Sequence, residues 1–149
     1  LPLEVISFPL ADGGEGTSEI LTSFFKGKTT TKVVQNPFFS AAEAMFGISA
    51  NGKMAFIDMA AASGIALIPT EKRNCYYTTT YGTGELIAEA LKLGVNEIIL
   101  GLGSSATNDG GIGVATALGY KFLDKWGDTV VPTGENLGKN RLIKIKLSK

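Results

Sequence analysis

Two stretches of the sequence share the pattern Asp-Gly-Gly-x-Gly: Asp12-Gly13-Gly14-Glu15-Gly16 and Asp109-Gly110-Gly111-Ile112-Gly113. Each lies between a strand-like run and an amphipathic run. Glycines there let the backbone take positive φ and come close to a ligand. Successive N–H groups at a helix start form an anion seat, to which the helix dipole adds. An Asp beside such a seat is the usual partner for the Mg²⁺ that accompanies phosphates. In open parallel sheets ligands bind outside the carboxyl ends of the strands, where both bends would lie. The plainer alternative is a pair of tight strand-to-helix turns, with Asp as cap and Gly for geometry. Two copies in equivalent positions favour the ligand reading, because turn geometry alone rarely demands three glycines each time.

The second copy closes a richer loop, Gly101-Leu-Gly-Ser-Ser-Ala-Thr-Asn-Asp-Gly-Gly111. Ser104, Ser105, Thr107 and Asn108 are short hydrogen-bonding side chains suited to phosphoryl oxygens or to the hydroxyl and carboxylate groups of a small polar substrate. Capping and Asx-turn chemistry accounts for Asn108 well and for the paired serines poorly. Thr78-Thr-Thr-Tyr-Gly-Thr-Gly84, with Thr80 and Thr83, is either a third hydroxyl-rich ligand loop or a well-capped helix start. Asp58, at the end of an apolar run, is a candidate buried carboxylate or a solvent-facing edge residue. Lys72 and Arg73 read as a solvated loop pair, and Cys75 as a bystander.

The composition limits what these groups can do. The chain has 149 residues, 44% hydrophobic and 19% charged, with Lys+Arg 14 against Asp+Glu 14 and hence no net charge. That length suits one domain, or pieces of two, and can bury a real core. The balance excludes the basic stripe of a nucleic-acid binder and the cationic face of a membrane-surface helix. No apolar run reaches membrane-spanning length and no signal-peptide pattern opens the chain. One cysteine rules out an internal disulfide framework and a Cys-based zinc site. With no histidine, there is no Ser-His-Asp triad and no imidazole base in this chain. Its chemistry must run on carboxylates, hydroxyls, lysines, backbone amides or an oxygen-bound cation.

The elements that would position these groups follow from periodicity. Glu4–Leu10 reads as a short buried strand, and Thr17 as the N-cap of a helix whose Ile20, Leu21, Phe24 and Phe25 form an apolar stripe ended by Lys26-Gly27. Residues 29–35 are β-branched and extended, and Asn36-Pro37 marks a turn. Ala44–Ser49 and Met54–Met59 form a hairpin about Asn51-Gly52. Thr83 caps a helix carrying Leu86, Ile87, Ala90 and Leu91 on one face, ended by Gly94. Glu97–Leu100 has the look of a strand buried on both faces. A small-residue helix runs from Asp109 to Leu118, closed by Gly119, and Tyr120–Leu123 and Ile143–Leu147 are further strands. Alternating strands and helices indicate βα units and an α/β fold. Leu1 sits almost directly on a strand and Leu147 is followed by no closing element, so the chain reads as a fragment of a larger protein.

Four ordered blocks, Ala11-Asp-Gly-Gly-Glu-Gly-Thr17, Ala60-Ala-Ala-Ser-Gly64, Thr78-Thr-Thr-Tyr-Gly-Thr-Gly-Glu85 and Ser105-Ala-Thr-Asn-Asp-Gly-Gly111, resemble the motifs of bacterial glycerate kinases of glyoxylate and sugar-acid catabolism. They cover nearly the whole chain. The resemblance implies ATP- and Mg²⁺-dependent phosphoryl transfer to a hydroxyl of D-glycerate by a cytoplasmic enzyme. It implies a flavodoxin-like parallel-sheet domain with a second α/β domain inserted, and a site in the cleft between them. This chain would then be an internal fragment, with residues 1–40 and 75–149 supplying βα elements and the Gly-rich loops, and 41–74 a hairpin and loop region. Family members are longer, beginning with a strand and an Ala-Pro-Asp-Ser-Phe-Lys-type loop not found here, so part of the site, including a lysine, is expected outside this sequence. Ser104 stands where the family commonly has Gly, Asp58 where Glu is usual and Cys75 where Pro is usual.

Phosphoryl transfer needs in-line positioning and charge neutralisation more than covalent help, which suits a site without histidine. On this reading Asp109 orients and deprotonates the attacking hydroxyl while Asp12 holds Mg²⁺, directly or through water, with exchange of the two roles left open. Ser104, Ser105, Thr107 and the amides of Gly110 and Gly111 hold phosphate or glycerate oxygens, and Gly13, Gly14, Asn108, Thr80 and Thr83 belong to the same binding set. Which glycerate hydroxyl reacts, and whether the protein is a homo-oligomer, are not set by the sequence. Gly101-Leu-Gly-Ser-Ser-Ala106 also coincides with the phosphate loop of the galactokinase, homoserine kinase and mevalonate kinase superfamily, although the Thr-Asn-Asp-Gly-Gly that follows and the other three blocks do not. A non-catalytic module sensing a phosphorylated or carboxylated metabolite is the alternative from outside the enzymes.

Overall fold

The computed structural model describes residues 2–139 and 142–145. Its centre is a four-stranded mixed sheet in the order β1-β2-β3-β4. Strands β1 (Lys28–Gln35) and β2 (Ala41–Ile48) pair antiparallel from Lys28↔Ile48 to Gln35↔Ala41. β1 is rich in Thr and Val, residues whose branched side chains suit a pleated surface, and it carries Lys28 and Lys32 on the outer edge, where charge discourages pairing with another chain. Asn36 shapes the turn that follows by accepting from the amides of Phe38 and Ser40. β2 meets β3 (Met54–Asp58) as the expected hairpin. Its Asn51 carboxamide oxygen accepts from the Ser49 hydroxyl and the Lys53 amide.

The chain then crosses through a short helix α2 (Ala60–Ser63), irregular segments and helix α3 (Tyr81–Lys92) to β4 (Glu97–Gly101), which lies parallel to β3. The alternation of strand side chains sets up two faces. Ala44, Phe46, Ile48, Ala55 and Ile57 face one side and pack with Leu86 and Ala90 of α3. Phe56 points the other way and stacks on Phe25, with ring centroids 5.1 Å apart, just beyond helix α1 (Thr17–Phe24). Burying Leu86 completely contributes roughly 2 kcal/mol by transfer. Helix α4 (Ile112–Ala117) packs on α3. A smaller cluster of Ile112, Phe122 and Val130 lies under β5 (Tyr120–Leu123), whose partner is β6 (Leu142–Ile145).

Several boundaries differ from the sequence expectation, for identifiable reasons. Residues 4–10 form no strand: Leu3, Val5, Phe8 and Leu10 are exposed, and the segment has no hydrogen-bonded neighbour among the described strands. Periodicity can specify a strand but not supply its partner. β4 is not enclosed on both faces but is an edge strand, with Glu97 and Ile99 exposed. The α1 stripe is only partly turned to the core: Phe25 stacks on Phe56, Ile20 and Leu21 are half-buried and Phe24 is exposed, while the buried residues of the helix are Thr17 and Thr22. On α3, Leu86 and Ala90 are buried but Leu91 is exposed. Gly16 in the left-handed conformation, not Thr17, is the N-cap of α1, and Thr80, not Thr83, that of α3. α4 begins at Ile112, after Gly111, rather than at Asp109. β2 starts three residues early, and β3 ends at Asp58 rather than Met59. The last strand covers Leu142–Ile145, and Leu147 lies outside the described residues.

Candidate active site

The ends of β3 and β4 bring the first glycine bend and the start of the long loop together. Asp58 and Gly101 are register partners at the carboxyl ends of the parallel strands. Against them runs residues 13–14: the Gly103 amide donates to the Gly13 carbonyl at 2.7 Å. Two glycines are required by this contact. A Cβ on Gly101 would lie 2.6 Å from the Gly13 oxygen, and one on Gly103 2.6 Å from the Gly14 Cα, distances that real side-chain atoms do not reach. The loop is then held down on its far side by Ile65, whose amide donates to the Ser104 carbonyl, and by the Ala106 amide donating to the Ser63 carbonyl. Ser104 turns outward with φ 57, a left-handed conformation that favours glycine.

The first bend is ordered by three acceptors. Asp12 closes an Asx turn by accepting from the Gly14 amide at 3.0 Å, and the Thr17 hydroxyl accepts from the Gly13 amide at 3.1 Å. The third is Asp58, which is 5% exposed. It accepts from the amides of Gly16 and Ser18 and from the Ser18 hydroxyl, at 2.8 to 3.0 Å. Asp58 is therefore the buried carboxylate, not an edge residue, and it occupies the anion seat at the start of α1. Asp12 itself stays exposed. A Cβ placed on Gly14 would lie 3.1 Å from Asp12 Oδ1 and 3.4 Å from Ser104 Oγ, so the carboxylate and the hydroxyl flank the same glycine from two different loops.

The second bend inverts this arrangement. Asp109 is 1% exposed and accepts from the Thr80 amide (2.8 Å), the Thr80 hydroxyl (2.9 Å), the Gly111 amide (3.0 Å) and the Gly113 amide (3.2 Å). It ties the start of α3 to the start of α4, and Thr80 completes the knot by accepting from the Val114 amide at 3.0 Å. Thr83 is wholly buried and hydrogen-bonded to the Ser63 hydroxyl at 2.8 Å. Thr78 donates to the Ala106 carbonyl. The threonines of the hydroxyl-rich block 78–84 are thus turned inward, and the Thr80 hydroxyl, at the N-cap position of α3, bonds to Asp109 rather than to its own helix. Ser105 and Thr107 are half-buried and bonded to one another at 2.8 Å, while Asn108, Gly110 and Gly111 are exposed. Cys75 is exposed beside a hollow of about 380 Å³ shared with Asn108 and Glu135.

The expected site residues therefore separate into two sets. Asp12, Gly13, Gly14 and Ser104 meet at the end of the parallel strand pair. Thr80, Thr83 and Asp109 form a buried lattice that supports the loop carrying Ser105, Thr107 and Asn108. The donor set at Asp12 fits Mg²⁺, a hard cation that takes one or two carboxylates together with waters and phosphate oxygens rather than an all-protein cage. Among the described residues only Oδ1 of Asp12 has a protein donor, and a serine hydroxyl stands nearby. No cluster of three or more acidic, His or Cys side chains with metal-binding geometry exists among the described residues. What sequence reasoning missed is the capping role of Asp58. Its partners lie about forty positions earlier in the chain, and only the return of β3 to the same edge unites them.

The exposed Asp12 and Ser104 thus stand outside the carboxyl ends of the parallel strand pair, the general place of small-molecule sites in α/β sheets. The chain belongs to the glycerate kinase family, whose model matches residues 2–149. It is 46% identical to the glycerate kinase of Halalkalibacterium halodurans over 95% of the chain, and 49% identical to the glycerate 2-kinase of Escherichia coli over 85%. It covers 37% and 33% of those proteins. A crystal structure assigned as glycerate kinase 2 from Salmonella typhimurium LT2 superposes with TM-score 0.88 at 43% identity, over 91% of this chain and 37% of that one. The chain thus spans about a third of the length of these relatives. Membership over residues 2–149 removes the galactokinase-type reading of Gly101–Ala106. No helix among the described residues is long and apolar enough to cross a membrane.

Proposed function

We propose that the protein carrying this chain transfers the terminal phosphoryl group of ATP to a hydroxyl of D-glycerate in the cytoplasm, and that the two glycine bends form part of that site. The observation that carries the reading is Asp12: an exposed carboxylate, fixed by its own Asx turn, beside Ser104 at the carboxyl end of a parallel strand pair. Asp12 holds Mg²⁺, which when bound neutralises charge on the phosphates. Ser104, Ser105, Thr107 and Asn108, with the backbone at Gly110, orient phosphate and glycerate oxygens. The carboxylate of Asp109 is engaged by donors on both oxygens. We therefore assign it the task of holding the second bend in shape, and its burial supports Asp12 as the ligand-facing aspartate of the two. Catalysis on this reading is positioning and electrostatics, with no imidazole required.

The test is ATP turnover with D-glycerate by the complete translated product containing this chain, in a coupled assay with and without Mg²⁺. Turnover that needs both ATP and Mg²⁺ is expected. Tight binding of glycerate or nucleotide with no turnover would instead identify a metabolite-sensing module.

A further inference from the structure

We infer that Asp58 is a positioning residue for this reaction, acting on Asp12 through the backbone of residues 14–18 without touching substrate. This rests on the kinase reading above.

The path is short and continuous. Both oxygens of Asp58 are engaged, Oδ1 by the Ser18 amide at 2.8 Å and Oδ2 by the Gly16 amide and Ser18 hydroxyl, each at 3.0 Å. Thr17 lies between those two anchored amides. Its own amide donates to the Gly14 carbonyl, and its hydroxyl accepts from the Gly13 amide. Gly14 in turn donates to Asp12. Each residue from 12 to 18 except Glu15 is therefore locked to a neighbour, and the outermost lock is Asp58. Asp58 is also fixed from below, since it ends β3 in register with Gly101, the strand end on which Gly13 packs.

A phosphate cannot replace Asp58 in its seat without losing these contacts. The open side of Asp58 borders a cleft of about 620 Å³ that also presents Glu15, Glu19 and Glu43 and, among the described residues, no lysine or arginine. An anionic nucleotide is repelled from such a cleft. The seat at the start of α1 is thus filled permanently by the chain's own carboxylate, and the ligand is left to the outer surface of the bend, where Asp12 stands. A glutamate keeps the carboxylate charge that the amides of Gly16 and Ser18 receive, and the cleft bordering position 58 is the space open to its extra methylene.

Asp58→Asn, Asp58→Glu, Ser18→Ala and Asp12→Asn in the complete translated product test this, with Mn²⁺ affinity measured by electron paramagnetic resonance alongside kcat and KM. Asp58→Asn is expected to weaken Mn²⁺ about 10-fold, the scale of outer-shell effects at metal sites, and to lower kcat with little change in glycerate KM. Asp58→Glu should restore Mn²⁺ affinity to within about 3-fold of wild type, on the same scale. If Asp58→Asn does not fold, Ser18→Ala, which removes one donor and leaves the carboxylate, should still weaken Mn²⁺ by a few-fold. Folded Asp58→Asn, or Ser18→Ala in its place, with wild-type Mn²⁺ affinity overturns the proposal, provided Asp12→Asn has lost the ion. If Asp12→Asn also keeps Mn²⁺, the metal assignment behind the inference fails and the inference goes with it. If the Mn²⁺ pattern is as expected but glycerate is not phosphorylated, the kinase reading fails while the positioning of Asp12 by Asp58 stands.

Discussion

The two Asp-Gly-Gly-x-Gly bends have one sequence pattern and opposite designs. In the second, the motif's own aspartate turns inward, is 1% exposed, and caps two helix starts. In the first, the motif's aspartate turns outward, and the capping is delegated to Asp58 on a different strand. A carboxylate at a helix start satisfies amides that would otherwise be orphaned, whatever part of the chain it comes from. Once a remote residue supplies it, the local aspartate is left exposed. Repetition of a motif therefore does not imply repetition of a role, and the role is decided by which carboxylate reaches the amides first.

The contrast can be broken most severely at Asp109. Asp109→Ala leaves the buried donors of Thr80 and Gly113 without an acceptor and frees the exposed Gly111 amide, and should cost about 3–5 kcal/mol of stability, read by urea unfolding. A loss below 1 kcal/mol would show that Asp109 is not the structural member of the pair. Asp12→Asn keeps the Asx-turn acceptor and removes only the charge. Stability should change by no more than about 0.5 kcal/mol, while ATP turnover falls by about 10²-fold or more. Equal losses of stability at the two aspartates would erase the distinction. The smallest effect is expected at Ser104. Ser104→Gly relieves a left-handed non-glycine residue, worth about 1 kcal/mol, against the greater freedom of glycine in the unfolded chain. A net gain of about 0.5 kcal/mol in thermal unfolding is expected, and a loss would mean that the Ser104 hydroxyl has a structural partner in the complete protein.

Much of this architecture was readable beforehand. The hairpin about Asn51-Gly52, the α3 core face at Leu86 and Ala90, and the glycine stops at Gly94 and Gly119 follow from local chemistry and from period. What was illegible depends on neighbours distant in sequence. Glu97–Leu100 has the continuous apolar character of an enclosed strand, yet enclosure depends on a second neighbour that no local pattern specifies. Ile20, Leu21 and Phe24 share a helical face, but the sheet meets α1 at Thr22 instead, because Gly47 leaves space there. The site was legible as a set of loops and opaque as a set of orientations. Thr80 and Thr83 carry the hydroxyls expected of ligand contacts, and only their burial shows them bonded inward.

The outer side of β4 has a further consequence. Among the described residues no strand pairs with that side, where alternate main-chain groups stand beside the exposed Ile99, and the apolar side chains of the run Leu3–Leu10 are uncovered as well. Such a combination templates intermolecular pairing. Preparations of this polypeptide by itself should be prone to precipitate as concentration rises, so a charged replacement such as Ile99→Lys is a practical handle for keeping it in solution.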